Sequence, residues 1–247
     1  MNHDIHKIIF KDIYKSFEGK NVLSGLNLEI KRGETLVVLG RSGCGKSVTL
    51  KILLGLLYPD QGQVYVDGEE ITLLPEKRMV DVRKKIGMLF QGSALFDSLT
   101  VGENVAFALT EHSKKSKEEI ADIVRRNLEF VELAGSENLM PAELSGGMKK
   151  RAALARAMAY QPEILLYDEP TTGLDPITAT RINALIRKTQ KKYGVTSIVV
   201  THELDSGFSV ADRAAVMDEG RILEIGTIDT IKKSKNEFVQ TFIAGPK

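Results

Sequence analysis

The sequence has 247 residues, 43% of them hydrophobic and 27% charged, which is long enough for a sizeable core and typical of a water-soluble globular protein. Its 34 basic and 33 acidic residues leave a net charge of +1, which excludes bulk electrostatic attraction as a reason to bind nucleic acid. The single cysteine excludes an intrachain disulfide and suits a reducing compartment.

Hydropathy along the chain predicts no membrane span. The longest strongly apolar stretch, residues 52–57, is far too short to cross a bilayer, and the first residues have no apolar signal core. We therefore expect a cytoplasmic protein, so that any membrane-embedded part would come from another chain.

The first segment, residues 6–30, alternates apolar and polar side chains, with Gly19 and Gly25 as breaks. This period of two predicts antiparallel strands. Phe17 ends the first strand. Its flat ring could stack on an adenine base, although the pattern alone favours a partly buried strand residue.

A glycine-rich turn follows an apolar run at 36–39, which predicts a buried strand, and precedes a predicted helix over 48–57. The residues of this turn and the helix start are Gly40, Arg41, Ser42, Gly43, Cys44, Gly45, Lys46, Ser47 and Val48. Glycines let backbone N–H groups converge on an oxyanion, and the helix N-terminus adds partial positive charge. The pattern predicts a nucleotide phosphate loop, in which Lys46 reaches the β- and γ-phosphates and Ser47 ligates Mg²⁺. Cys44, among the same N–H donors, is expected to be a reactive thiolate.

A second strand, residues 86–91, ends on Gln91, whose amide could touch Mg²⁺ or water beside a phosphate site. Residues from about 97 to 159 have a helical character instead. Ser116 begins a capping box, and apolar residues follow it at helical spacing. The simplest organisation is a helical lobe inserted into an α/β core.

A second potential anion-binding helix start lies at Ser145, Gly146 and Gly147, before an alanine-rich helix. Ser145 is a natural N-cap, and the dipole argument of the phosphate loop applies here too. Taken alone, the motif could be only a cap. The basic run that follows, at 149–151, is expected to be a solvated face.

Two further strands end on polar residues. The strand over 164–170 ends in Asp168 and Glu169, where Asp168 could hold Mg²⁺ through water and Glu169 could address an attacking water. A solvated acidic turn is the alternative. The strand over 196–202 ends on His202, for which we favour a role at the phosphate. Residues 213–225 predict a hairpin, and residues 227–242 a helical tail.

The order of these motifs resembles the ATP-binding subunit of ATP-binding cassette (ABC) transporters, over nearly the whole chain. The features that carry the resemblance are the phosphate loop, Gln91, segment 144–147, Asp168 with Glu169, Asp175 and His202. It implies an α/β fold in one domain, 1–247. A P-loop NTPase core and an antiparallel β-subdomain would occupy 1–93 and 160–247, and an inserted α-helical subdomain 94–159.

The resemblance also implies a head-to-tail homodimer that sandwiches two ATP molecules with Mg²⁺. Ser145 and Gly147, with Gly146 between them, would grip the γ-phosphate bound by the other subunit's Lys46. The remaining roles implied by the family are adenine stacking by Phe17, sensing of Mg²⁺ and water by Gln91, polarisation of water by Glu169, an interface contact by Asp175 and a γ-phosphate contact by His202. Met148 stands where the family usually has glutamine, but the backbone donors remain.

A narrower resemblance, carried by segments 90–101, 103–107 and 167–176, is to the ATPases of bacterial phospholipid transport systems of the Mce or lipid-asymmetry type. It implies an integral-membrane permease, an Mce-domain protein and, in some systems, a small STAS-domain protein as partners. The chain would then lie peripherally on the inner face of the bacterial cytoplasmic membrane. The segment from Gln91 to Asn104, with apolar Leu95, Phe96 and Leu99, is the expected permease contact.

Three other functions stay open on the residues alone. One is the ATPase of another importer, for example for amino acids. The second is a cassette protein outside transport that acts as a mechanical switch, although this chain has one cassette and no sustained heptads. The third is a small kinase, which would leave the segment 144–147 unexplained.

Overall fold

The computed structural model describes residues 6–245, which form two β-sheets surrounded by helices. The strands are β1 (His6–Phe17), β2 (Lys20–Lys31), β3 (Thr35–Leu39), β4 (Gln61–Val66), β5 (Glu69–Glu70), β6 (Ile86–Leu89), β7 (Ile164–Asp168), β8 (Thr196–Thr201), β9 (Arg213–Asp218) and β10 (Arg221–Gly226). The helices are α1 (Lys46–Leu53), α2 (Glu76–Lys84), α3 (Val101–His112), α4 (Lys117–Phe130), α5 (Gly146–Met158), α6 (Pro176–Tyr193), α7 (Leu204–Val210), α8 (Ile228–Lys232) and α9 (Glu237–Ala244).

The central sheet has the strand order β10-β9-β3-β8-β7-β6, and all neighbours in it are parallel except the β9–β10 hairpin. Every residue of β3, β6, β7 and β8 is buried, because both faces of the sheet are covered. This explains why these strands are continuous apolar runs in the sequence rather than alternating ones. Parallel strands share one carboxyl edge, and ligands of open α/β sheets bind outside that edge.

The second sheet is antiparallel, with the order β2-β1-β4-β5. Its apolar face, which includes Ile8, Phe10 and Leu28, packs with one face of the central sheet in a single hydrophobic cluster. The opposite face of the central sheet packs with α3, α4, α5 and α6 in a second cluster. The predicted α/β class with an antiparallel sheet and additional helices is therefore confirmed.

Several local predictions are confirmed by the backbone. Ser116 accepts from the N–H of Glu119 and forms the predicted capping box of α4. Ser145 caps α5, and the hairpin is formed by β9 and β10. None of the helices between residues 6 and 245 combines the length and the hydrophobicity that a bilayer span requires.

Two helix boundaries were predicted wrongly. Helix α1 spans 46–53 rather than 48–57, because Leu54 ends it and Gly55 then adopts a φ of +63°. A left-handed glycine at this position is a common helix stop, so Gly55 ends the helix well before Pro59. The tail is not one helix either. Asn236 accepts from the N–H groups of Phe238 and Val239 and starts α9 anew.

Candidate nucleotide-binding and catalytic site

The glycine-rich turn lies between the end of β3 and the start of α1, and at Gly40 and Gly45 it leaves no room for a side chain. A Cβ on Gly40 would lie 2.4 Å from the carbonyl oxygen of Met217. Gly45 has a φ of +110°, and a Cβ there would lie 2.7 Å from Leu23. Glycine is therefore required at both positions, and the loop is held in one compact conformation.

The ammonium group of Lys46 closes the loop. Its Nζ donates to the carbonyl oxygens of Gly40 at 2.8 Å and Arg41 at 3.1 Å, and the side chain is 5% exposed. A buried ammonium group beside the backbone N–H groups of a glycine-rich turn provides the donors that bind a nucleotide phosphate. The residues present therefore fit the predicted ATP phosphates.

A cavity of about 220 Å³ opens at this loop and joins residues from distant parts of the sequence. Its lining residues are Val22, Ser42, Gly43, Gly45, Lys46, Ser47, Val48, Gln91, Glu169 and His202. Gln91, Glu169 and His202 follow the neighbouring strands β6, β7 and β8, so the shared carboxyl edge brings them together as their strand-end positions predicted. Val22, on β2, was not predicted, because nothing in its local sequence distinguishes it from other strand residues.

Asp168 ends β7 beside the first turn of α1. Its Oδ1 accepts a hydrogen bond from the Ser47 hydroxyl at 2.8 Å. Burial raises the pKa of the Asp168 carboxyl, the Ser47 hydrogen bond opposes this, and the negative charge of Glu169 adds to it, so the pKa lies above its usual value.

Ser47 and Asp168 together offer a hydroxyl and a carboxylate to a cation. Within residues 6–245, no group of three or more His, Cys, Asp or Glu side chains could hold a metal ion by itself. This donor set fits Mg²⁺, which usually takes one or two protein ligands and completes its shell with phosphate oxygens and water. Bound there, Mg²⁺ would neutralise charge that develops on the phosphates.

Glu169 follows Asp168 but lies in a different environment. Its Oε2 accepts from the hydroxyls of Thr172 at 3.0 Å and Thr201 at 3.1 Å and lies 3.0 Å from His202 Nδ1. Its Oε1 lies 3.5 Å from Lys46 Nζ. Burial raises the pKa of Glu169, but the hydrogen bond with His202 and the charge of Lys46 outweigh it and hold the pKa below its usual value. The adjacent carboxyl groups therefore differ electrostatically, which suits them to different roles.

The second helix start lies apart from this cavity within the chain. Ser145 accepts from Met148 N–H at 3.3 Å, and Met148 packs against the core. A Cβ on Gly147 would lie 2.4 Å from Thr178, so the start of α5 packs on the start of α6. Asp175 caps α6 by accepting from the N–H groups of residues 177 and 178, each at 3.0 Å. Thus Ser145, Gly146, Gly147 and Asp175 adjoin one another but do not line the cavity at Lys46.

Four more predicted nucleotide contacts lie outside the cavity lining, namely Phe17, Gly40, Arg41 and Cys44. Phe17 ends β1, and its ring is 41% exposed with Lys15 Nζ 5.4 Å from its centroid. The guanidinium of Arg41 lies 4.9 Å from the ring centroid of Phe238 on α9, so its side chain contacts the tail. Only the backbone of Arg41 contributes to closing the loop around Lys46.

The expected thiolate at Cys44 is wrong. The side chain is 8% exposed and belongs to the hydrophobic cluster between the two sheets. Burial raises the pKa of the thiol, and the opposing effect of Lys46 is smaller. The backbone N–H groups of Lys46 and of Cys44 itself also lower the pKa of this thiol, but the effect of burial outweighs theirs.

The predicted solvated face at 149–151 is also wrong at its centre, because Lys150 is 5% exposed. Its Nζ donates to the carbonyl oxygens of Gln91 and Glu169. Spacing could have indicated this burial. Lys150 lies three residues after Gly147 and three before Ala153, which places all three on one helix face.

Comparison with known proteins agrees with this geometry. Residues 23–172 match the family model described as ABC transporter. The chain is 44% identical to Protein TRIGALACTOSYLDIACYLGLYCEROL 3, chloroplastic, of Arabidopsis thaliana, over 95% of this chain and 72% of that protein. It is 41% identical to the intermembrane phospholipid transport system ATP-binding protein MlaF of Haemophilus influenzae, over 91% of this chain and 85% of that protein.

Two further similarities are informative. The methionine import ATP-binding protein MetN of Carboxydothermus hydrogenoformans is 42% identical, over 96% of this chain and 72% of that protein. The dimeric post-hydrolysis structure of the ATP-binding cassette MJ0796 bound to ADP and Pi superposes with a TM-score of 0.82 at 33% identity, covering 90% of this chain and 98% of that one. The predicted resemblance is confirmed: the chain belongs to the ABC transporter family, as an ATP-binding subunit that hydrolyses ATP.

Proposed function

We propose that this chain forms a head-to-tail homodimer that hydrolyses two Mg-ATP molecules and powers phospholipid transport through a separate permease. The observation that carries the proposal is the 41% identity to a phospholipid transport ATP-binding protein, over 91% of this chain and 85% of that protein. That match covers most of both chains rather than the phosphate loop alone.

The geometry of the single chain supports the dimer. The helix start at Ser145, Gly146 and Gly147 has the donors of an anion site but lies apart from Lys46. In a head-to-tail pair, each ATP would lie between the phosphate loop of one chain and this helix start of the other. Asp175, which adjoins the same helix start, would then lie at the interface, and exposed Phe17 would be free to stack on adenine.

Hydrolysis would rest on positioning and on charge. Lys46 and the loop amides would bind the β- and γ-phosphates, and Ser47, Asp168 and Gln91 would hold Mg²⁺. Glu169 is buried, has a pKa below its usual value and is held by hydroxyl donors, so it would orient the attacking water and accept its proton. Its Oε1 faces Lys46 Nζ, so a γ-phosphate bound by Lys46 would compete with Glu169 for the ammonium group.

The segment expected to contact the permease borders an apolar groove of about 560 Å³, whose lining includes Ala94 and Phe96 but not Leu95 or Leu99. Phe96 is 43% exposed at its rim, with the ring centroid of Phe107 4.6 Å away. Leu95 and Leu99 are half-buried and anchor the same segment.

Asn104 fixes that segment from below and is 0% exposed. Its Oδ1 accepts from Phe96 N–H at 2.8 Å, and its Nδ2 donates to the carbonyls of Phe96, Leu99 and Thr100 at 2.9–3.0 Å. The segment held by Asn104 is therefore fixed in one conformation and follows directly after Gln91, which lines the nucleotide cavity. A permease helix that contacts this segment would receive force from the nucleotide site. We propose that helices α3, α4 and α5 form the helical subdomain 94–159 and that this subdomain contacts the permease.

Phospholipid transport would place the chain on the inner face of the bacterial cytoplasmic membrane, with an Mce-domain protein and a small STAS-domain protein as further partners. The second candidate is amino-acid import, which the 42% identity to a methionine import ATP-binding protein favours. Purification of the chain from native membranes, with identification of the associated proteins and lipids, separates the two. A permease with an Mce-domain protein and bound phospholipid supports our proposal, and a permease with an amino-acid-binding protein contradicts it.

A further inference from the structure

Lys150 is a buried lysine at the junction of three catalytic elements. It lies in the second turn of α5, and its Nζ donates to the carbonyl oxygens of Gln91 at 2.5 Å and Glu169 at 3.2 Å. These two carbonyls belong to the residues that follow β6 and β7. One side chain from the helical region thus holds the backbone of two catalytic positions at the carboxyl edge of the central sheet.

The burial of this ammonium group needs compensation. Burial lowers the pKa of Lys150, and the nearby carboxylates of Asp168, Glu169 and Glu203 oppose that shift. A buried charge is stable only where hydrogen bonds and opposite charges replace water. The two carbonyls and the acidic surroundings supply both, so the position of Lys150 depends on the arrangement of these catalytic residues.

The backbone of Glu169 has an unfavourable conformation that needs stabilisation by neighbouring groups. Its φ is +47°, a left-handed conformation that is unfavourable for a residue with a side chain. That conformation turns the carboxylate towards Thr172, Thr201 and His202. A charged donor fixed on the Glu169 carbonyl stabilises the peptide orientation from which this carboxylate geometry follows.

Lys150 also connects the backbone of Glu169 to the N-terminus of α5. The helix begins at Ser145, and five residues of helix rise correspond to about 7.5 Å along its axis. The N-terminus and Lys150 belong to one continuous helix of 13 residues, in which backbone hydrogen bonds tie successive turns together. A displacement of its N-terminus therefore moves Lys150 and the two carbonyls it holds.

We propose that Lys150 is a positioning residue that ties helix α5 to the backbone of Gln91 and Glu169. A phosphate bound at the N-terminus of α5 then sets the orientation of the catalytic carboxylate in the same chain, and so links the two ATP sites of the dimer. The link between sites rests on the proposed dimer, whereas the positioning of Glu169 rests on the contacts of the single chain.

The test compares three variants of the full-length chain. Lys150→Met keeps the length of the side chain and removes its N–H donors and charge. Lys150→Gln restores two N–H donors without the charge. Lys149→Met is the matched control, because Lys149 is half-exposed on the same turn. Each is measured for kcat and KM of ATP hydrolysis, for affinity to a fluorescent ADP, and for thermal unfolding.

Lys150→Met should lower kcat by roughly tenfold to a hundredfold, since a misplacement of about 1 Å in a catalytic group has effects of that size. Its KM, ADP affinity and unfolding midpoint should stay close to those of the wild type, and Lys150→Gln should recover much of the lost kcat. Lys149→Met should behave as the wild type.

Wild-type kcat in Lys150→Met, loss of ADP binding together with kcat, or a Gln variant no more active than the Met variant would each overturn the proposal. If the wild type hydrolyses ATP but associates with no phospholipid transport partner, the proposed function fails while this test of Lys150 stands.

Discussion

Glu169→Gln separates the charge of the proposed general base from its shape. The amide is nearly isosteric, so its oxygen can still accept from the hydroxyls of Thr172 and Thr201. What the variant loses is the negative charge 3.5 Å from Lys46 Nζ and the ability to accept a proton from water. Folding and the phosphate loop should therefore persist, and the chemical step should fail.

The magnitudes follow from these contacts. A positioned general base contributes about 10²–10⁴-fold, which is about 3–5 kcal/mol of barrier, so turnover should fall by that factor. At an effective dielectric constant of about 20, the attraction between Glu169 and Lys46 over this distance is about 5 kcal/mol before desolvation. Because the variant removes this competitor for Lys46, whose Nζ keeps the carbonyls of Gly40 and Arg41, ATP should bind as tightly as in the wild type or more tightly.

The assay measures ATP turnover and nucleotide affinity in parallel, and size-exclusion chromatography with Mg-ATP monitors assembly. Glu129→Gln, an exposed glutamate on α4, is the matched control and should behave as the wild type. The variant Glu169→Gln should accumulate as an ATP-bound dimer, because hydrolysis no longer separates the chains. Wild-type turnover in Glu169→Gln, or loss of ATP binding without unfolding, would refute the role of Glu169.

Three other predictions follow from buried or exposed groups. Burial raises the pKa of the Cys44 thiol, so maleimide should label the folded chain more slowly than the urea-unfolded chain at neutral pH, with a rate that increases as the pH rises; equal rates, measured by mass spectrometry, would contradict the burial. Phe96→Ala should weaken co-purification with the permease and leave ATP affinity unchanged, and unchanged permease binding would favour a purely structural role for Phe96. Leu73→Ala is the control and should change neither permease binding nor ATP affinity, because Leu73 is 84% exposed and lies outside the groove. Asn104→Ala should destabilise the 96–100 segment, because each buried backbone N–H or C=O group left unpaired costs about 1–3 kcal/mol. Each kcal/mol lowers the thermal unfolding midpoint by about 2–4 °C in a chain of this size, and an unchanged midpoint in calorimetry would show that water replaces the amide.

The elements with strong periodicity could be predicted from the sequence. A strand with one buried face alternates apolar and polar side chains, and a strand with two buried faces is a continuous apolar run. The alternation over 6–30 and the apolar runs of β3, β7 and β8 therefore predict these strands. The placement of Gln91, Glu169 and His202 could also be predicted, because strand ends of a parallel sheet meet at one edge. The boundaries of α1 and of the tail were missed where Gly55 and Asn236 act through backbone conformation.

The errors in the site have a common cause. Lys150 was predicted as a solvated charge and Cys44 as a reactive thiolate, because local sequence describes neighbours along the chain and not the groups packed across it. The carbonyls held by Lys150 lie 59 and 19 residues away in sequence. Desolvation of Cys44 results from the contact between two sheets, and only the tertiary structure shows it.

The most direct measurement reconstitutes the chain with its permease in proteoliposomes that contain a fluorescent phospholipid, and records movement of the lipid after addition of Mg-ATP. Our account predicts ATP-driven phospholipid movement that requires Lys46 and is abolished by Glu169→Gln. Steady ATP hydrolysis with no lipid movement, together with ATP-driven uptake of a radiolabelled amino acid in the same vesicles, would contradict it.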